Sequence, residues 1–203
     1  MSLVQLIVER GVDAVKSLPE GIRKNREAVA EAIENNVRRL IIDEQPINPK
    51  YYEKMSGLLD ALIEQRRQEA LDYQEYLRKI VELTKKVTNP TAGESYPKML
   101  TTPAKRALYD NLGKDEALAI LVDSAVRASR QDDWRSNPIK IKKVKLAIKD
   151  VLLKSRGQDS HAAADVTAGI AGENLGSYRK KSEESIDELV DRILDLVKNQ
   201  NEY

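Results

Sequence analysis

Apolar residues recur at three- and four-residue intervals along most of this chain, and that period constrains the fold more than any other feature. Leu3, Leu6, Ile7, Gly11, Ala14 and Val15 share one helical face from Ser2 to Lys16. A second helix opens at Ser17, with Glu20 completing a capping box and Pro19 in its first turn. It runs to Glu44 on a stripe of Val29, Ile33, Val37, Leu40 and Ile41. Asn48 and Pro49 start a third, to about Gln68, with Met55, Leu58, Leu59, Leu62 and Ile63 inward. Asp72 and Glu75 open a fourth carrying Tyr76, Leu77, Ile80, Val81 and Leu83, which Asn89-Pro90 stops. Residues 88–100, rich in Thr, Pro and Gly, read as a loop.

Thr102 and Pro103 start a short helix closed by Gly113. The next reaches Ser129 with Leu118, Leu121, Val122, Ala125 and Val126 inward. A polar turn around Trp134 leads into a basic helix over residues 139–154, striped by Val144, Ile148, Val151 and Leu152. Residues 155–181 hold Gly157, Gly169, Gly172 and Gly176 and few large apolar groups, so they read as a flexible linker or insertion. A last helix from Ser182 to Asn199 carries Ile186, Leu189, Val190, Ile193 and Val197. No segment alternates as a strand does between hairpin turns. The expected fold is all-α, an irregular multi-helix bundle of about eight helices. Its parts are a bundle over residues 1–154, the linker, and a C-terminal helix over 182–203 packing back on it.

Composition narrows the function classes. Charged residues make up 33 % of the 203, yet the net charge is only +1. Such a balance suits helices with laced polar faces and offers no global field for nucleic acid. With no Phe and one Trp, Leu, Ile, Val and Ala must fill the core. The absence of Cys excludes disulfides and Cys-based zinc sites. No apolar run reaches the length of about 18 residues that a membrane helix needs, so no membrane partner is expected. The N-terminus carries Glu9 and no cleavage pattern, and reads as a helix, not a signal peptide; a cytoplasmic location is the default.

Catalytic motifs are missing. There is no phosphate-binding loop, and Gly169, Gly172 and Gly176 have the wrong spacing for a dinucleotide site. The single histidine, His161, is the only imidazole base available, and it sits in the linker-like segment. Leu40-Ile41-Ile42-Asp43-Glu44 mimics a strand ending in magnesium-binding acids, but Leu40 and Ile41 continue the helical stripe. Nor does any acidic residue stand two positions before a Lys, the spacing that sets a nuclease's metal-binding carboxylate beside its activating base. No catalytic, cofactor-binding or metal-ligating residue is therefore assigned.

Two surface patches remain. From Arg135 to Lys154 the chain carries Arg135, Lys140, Lys142, Lys143, Lys145, Lys149 and Lys154 against Asp150 alone. Lys140, Lys142, Lys143, Lys145 and Lys149 are candidates for phosphate contact, with a solvated helix face as the alternative. Arg127, Arg130, Trp134 and Arg135 form a candidate protein interface, because Trp and Arg dominate interface energetics. Its alternative is a Trp capping its own core with Arg stacked on it. Tyr51 and Tyr52 read as packing at a helix start, in preference to a base-stacking platform.

Three stretches carry a family resemblance. They are Thr102-Pro-Ala-Lys-Arg-Ala-Leu-Tyr-Asp-Asn-Leu-Gly-Lys-Asp-Glu-Ala-Leu, Val126-Arg-Ala-Ser-Arg-Gln-Asp-Asp-Trp-Arg-Ser-Asn and the terminal Val197-Lys-Asn-Gln-Asn-Glu-Tyr. Together with Leu18 to Glu44 they resemble the C-terminal region of the R subunit of type I restriction-modification enzymes, over residues 1–154 and 182–203. The resemblance implies a non-catalytic helical domain that joins the motor domains of its parent chain to the methyltransferase and specificity subunits. ATP, Mg²⁺, DNA translocation and cleavage would belong to the parent subunit, an ATP-dependent deoxyribonuclease. In that family a short connection precedes the terminal helix; here residues 155–181 intervene. The alternative is a free-standing helical DNA-binding or regulatory protein using the basic helix, which leaves DNA open as a partner.

Overall fold

The computed structural model describes residues 2–91, 95–167 and 184–203, with side chains described up to Arg156 in the long helix below. Regular structure among them is entirely helical, as the apolar period requires. The helices are α1 (Leu3–Arg10), a 3₁₀ segment (Gly11–Ser17), α2 (Glu20–Arg23), α3 (Arg26–Glu44), α4 (Pro49–Arg67), α5 (Tyr73–Thr88), α6 (Pro103–Asn111), α7 (Glu116–Ser129), α8 (Pro138–Thr167) and α9 (Ile186–Lys198). The chain divides within the Pro/Gly-rich loop into two compact units, Met1–Pro97 and Lys98–Tyr203, where one bundle was expected.

Local chemistry explains where helices begin and end, and corrects two expectations in the first unit. The first helix does not run unbroken to Lys16. Gly11 takes φ 58°, a conformation costly for any residue with a Cβ, and donates its N–H to Ile7 O to end α1. The second helix is not opened by a Ser17–Glu20 box. Asn25 interrupts it, accepting from Glu27 N at 2.9 Å and Ala28 N at 3.3 Å, so α3 starts there with its own cap. Asn48, Asp72, Thr102 and Asp115 cap α4, α5, α6 and α7 through side-chain oxygens. Asp43 and Glu44 are the last turn of α3, as the helical reading required.

In the first unit α3, α4 and α5 pack on one another, and α1 lies against α3 and α5. Val29, Ile33, Val37, Leu59, Tyr76 and Ile80 are buried at its centre. Leu58 departs from expectation at 44 % exposed, on the rim of a cleft between α4 and α5. Tyr51 and Tyr52 do pack at the helix start. Their rings meet edge-on at 5.2 Å, and their hydroxyls donate to Lys86 O and Val87 O at the end of α5. The core also holds a charged knot. Arg66 donates to Glu34 at 2.8 Å and to Glu27 at 2.6 Å, while the Tyr76 hydroxyl donates to Glu34 at 2.8 Å. Burial and then the neighbouring Glu34 carboxylate hold the Tyr76 phenol well above its ordinary pKa.

The second unit is a closed ring of four helices: α6 packs on α7, α7 on α8, α8 on α9, and α9 returns to α6. The expected stripes largely face inward. Val122 and Val126 of α7, Val144, Ile148 and Leu152 of α8, and Val190, Ile193 and Val197 of α9 are all buried. Leu121 instead stands 55 % exposed. Ser185 and Glu188 form the capping box that starts α9, three residues later than expected. The basic helix does not stop at Lys154 but continues to Thr167. Over that extension Gly157 is the strongest opponent of helix, and the run Ala162–Ala164 favours it. The remainder of the expected linker, residues 168–181, lies outside the described residues.

Candidate functional site

The turn between α7 and α8 is built to hold the end of the chain. Asp133 takes φ 55°, Ser136 Oγ donates to Asp133 O at 3.2 Å, and Asn137 Oδ1 accepts from Ile139 N and Lys140 N to start α8. This turn delivers Trp134 inward, where it is only 2 % exposed, with the Arg135 guanidinium 5.2 Å from its ring centre. The indole N–H finds no acceptor among the described residues. Trp134 is therefore a core cap: a ring so enclosed cannot present itself to a partner, and the expectation of an anchor there is corrected.

The neighbouring arginines are occupied in the same work. Arg135 donates through Nε to Lys198 O at 2.9 Å and through Nη2 to Gln200 O at 2.6 Å. These carbonyls lie at the end of α9, where the helix leaves acceptors unsatisfied and the dipole favours a cation. Arg127 pairs with Asp123 at 3.0 Å, reaches Glu202 at 3.4 Å and lies 5.1 Å from the Tyr203 ring centre. Its hydrogen bond to Asp123 raises its already high pKa further, against the opposing effect of burial. Tyr203 donates to Asp123 at 2.7 Å, and Ala104 N at the start of α6 donates to Glu202 at 3.0 Å. Burial, then the hydrogen bond to Asp123, keeps the Tyr203 phenol protonated far above its usual range. Of the four residues in the expected interface, only Arg130 is exposed without a bonded partner among the described residues. Glu202 and Tyr203 lie in the terminal stretch that carries the resemblance, but no local pattern gives them these roles, because their hydrogen-bonded partners are 75 to 98 positions away.

Tertiary pairing also redraws the basic helix. Lys145 pairs with Asp191, and Lys149 with Asp187 at 2.7 Å. Four residues forward on α8 correspond to four residues back on α9, so the two helices run antiparallel. Hydrogen bonding to Lys149, reinforced by its charge, holds the Asp187 carboxyl below its ordinary pKa. Lys154 pairs with Asp150, and Lys140 donates to Asp132 O at 2.7 Å. Among the five candidates for phosphate contact, only Lys142 and Lys143 remain exposed and unpaired among the described residues. Lys145 and Lys149 are corrected from free cations to partners of α9. The net charge of the sequence segment overstated the field because its neutralising acids lie some forty positions away.

Comparisons with family models, curated proteins and solved structures find no significant match.

What the basic-helix reading missed is a second apolar face on α8. Ile139, Leu146 and Leu153 are 81 %, 56 % and 50 % exposed. Their seven-residue spacing was visible in the sequence, but the stripe of Val144, Ile148 and Leu152 accounted for α8 first. No helix among the described residues is long and apolar enough to cross a membrane. No group of three or more acidic, His or Cys side chains among them is placed to hold a metal. The His161 side chain lies outside the described part.

Proposed function

We propose that this chain is a C-terminal assembly domain of a type I restriction enzyme R subunit, docking the motor and nuclease subunit onto the methyltransferase core without catalysis of its own. One observation carries the reading. The three stretches that resemble that family are far apart in sequence, yet they meet in the second unit. Thr102-Pro103-Ala104 reaches the tail through Glu202, Arg127 reaches it through Glu202 and Tyr203, and Arg135 reaches it through the carbonyls of Lys198 and Gln200. Segments that build one another's packing are what shared architecture would produce; the fourth stretch, Leu18 to Glu44, lies in the first unit and lends no such support.

The rival reading, a DNA-binding helix, keeps Lys142 and Lys143 but loses Lys145 and Lys149 to α9. Protein docking is the better-supported use of this surface. The test is capture of the 203-residue chain by the cognate methyltransferase complex, with and without DNA. Capture independent of DNA is expected; binding to DNA alone with no affinity for the complex would reverse the preference.

A further inference from the structure

Ile139, Leu146 and Leu153 form a single exposed ridge. Residues seven apart on an α-helix drift by only about 20° around it, and fifteen positions span about 21 Å. On the opposite side of α8, Val144, Ile148 and Leu152 are buried in the unit's own core. α8 is thus apolar on two faces, and the core uses one. Large aliphatic residues in a regular row, at the repeat of coiled-coil seams, are unlike the scattered apolar residues of an ordinary surface.

The charges beside the ridge say what fits it. Lys142 and Lys143 sit one on each flank, exposed and without a bonded partner among the described residues. Lys145 and Lys149, turned toward α9, are already neutralised by Asp191 and Asp187. A second copy of this chain is a poor occupant. In a parallel pairing Lys142 would meet the copy's Lys143. In an antiparallel pairing centred on Leu146 it would lie beside the copy's Lys149, and Lys143 beside Asp150, which Lys154 already pairs, so neither arrangement offers the two lysines an unpaired acid. Like charges across such a seam oppose pairing.

We infer that the α8 ridge Ile139–Leu146–Leu153 seats an amphipathic helix of a partner protein, with an apolar seam of the same seven-residue repeat and acidic side chains along both flanks. The inference rests on the docking reading only in taking the occupant to be a protein; the face and the partner's chemistry are new. Three aliphatic residues make a small seam, suited to one contact within a larger assembly or to a weak pairing by itself.

The test uses the full chain and two labelled synthetic three-heptad helices with the same leucine seam, one flanked by glutamates and one by lysines. The glutamate-flanked helix is expected to bind at least about tenfold more tightly, with the preference weakening in salt. Leu146→Glu is expected to lose that binding, and Lys142→Glu with Lys143→Glu to reverse the preference. All three positions are exposed, so unchanged melting verifies the fold of each variant. Equal binding of both helices, no binding, or binding unaffected by Leu146→Glu overturns the inference. A concentration-dependent dimer of the chain that Leu146→Glu abolishes overturns it in favour of a second copy. Capture by the methyltransferase complex is measured in parallel. Capture of the unsubstituted 203-residue chain without peptide binding sinks the ridge alone, and peptide binding without capture sinks the docking reading alone.

Discussion

Replacing Trp134 by Ala separates a structural Trp from an interfacial one, and its cost can be worked from the contacts. Removing a buried Trp to Ala ordinarily costs about 3–5 kcal/mol through lost burial and an unfilled cavity. Losing the Arg135 guanidinium over the ring adds about 0.5–1 kcal/mol. Against this, the buried indole N–H has no acceptor among the described residues, and removing an unsatisfied donor recovers roughly 1–3 kcal/mol. The net expectation for Trp134→Ala is a loss of about 3 kcal/mol. Trp134→Phe keeps most of the ring and discards the orphaned N–H, so it should cost under about 2 kcal/mol. Urea unfolding monitored by circular dichroism measures both, fitted with a transition for each unit if two are resolved. For a unit of about 100 residues, each kcal/mol moves the melting temperature by roughly 4–8 °C, so the Ala variant should melt more than about 10 °C lower. A loss below about 1 kcal/mol for Trp134→Ala would refute the core assignment. A Phe variant as damaged as the Ala variant would show that the N–H is satisfied in solution.

Tyr203→Phe removes a hydrogen bond to the buried Asp123 carboxylate and should destabilise the second unit by about 1.5–3 kcal/mol, read from the same unfolding curves. An unchanged midpoint would mean the tail is not seated. Burial, followed by the charge of Glu44, pushes the Tyr52 phenol from its ordinary 10.0 up to about 12. The unfolded chain therefore ionises first, so this contribution is intact below pH 10 and lost as pH rises toward about 12. A pH titration of stability should fall in that window, and Tyr52→Phe should flatten part of the fall. With Lys142 and Lys143 the only lysines of α8 left unpaired among the described residues, any DNA affinity of that helix should weaken with salt along a log–log slope of about −2. A slope of about −5 or steeper would mean that the α9 pairs open and the whole helix meets phosphate.

Helix existence and most buried faces are legible in the sequence because they depend on local period and capping chemistry. Four of the five residues in the α4 stripe are buried, and all five of those in α5. The misses have physical causes. Gly11 sits within an apolar stripe and Asn25 ahead of one, so the apolar period shows neither break. Leu58 and Leu121 lie at stripe edges, where a small rotation of the helix decides between core and solvent. For the site, residue types located the turn and the basic helix but not their roles, because a charge count over neighbouring positions is blind to acids on another helix.

The sequence by itself determined that this chain is helical, where nearly every helix lies, and that no recognisable catalytic motif is written into it. Those properties follow from periodicity, caps and residue chemistry, which act within a few positions. Only the tertiary structure decided that Trp134 faces inward, that Arg127 and Arg135 clasp the chain's own end, and that Lys145 and Lys149 are neutralised while Lys142 and Lys143 are not. The partners in those contacts stand 38 to 76 positions apart. No local pattern encodes which helix will turn its acids toward which lysines; that is settled when α9 packs against α6 and α8.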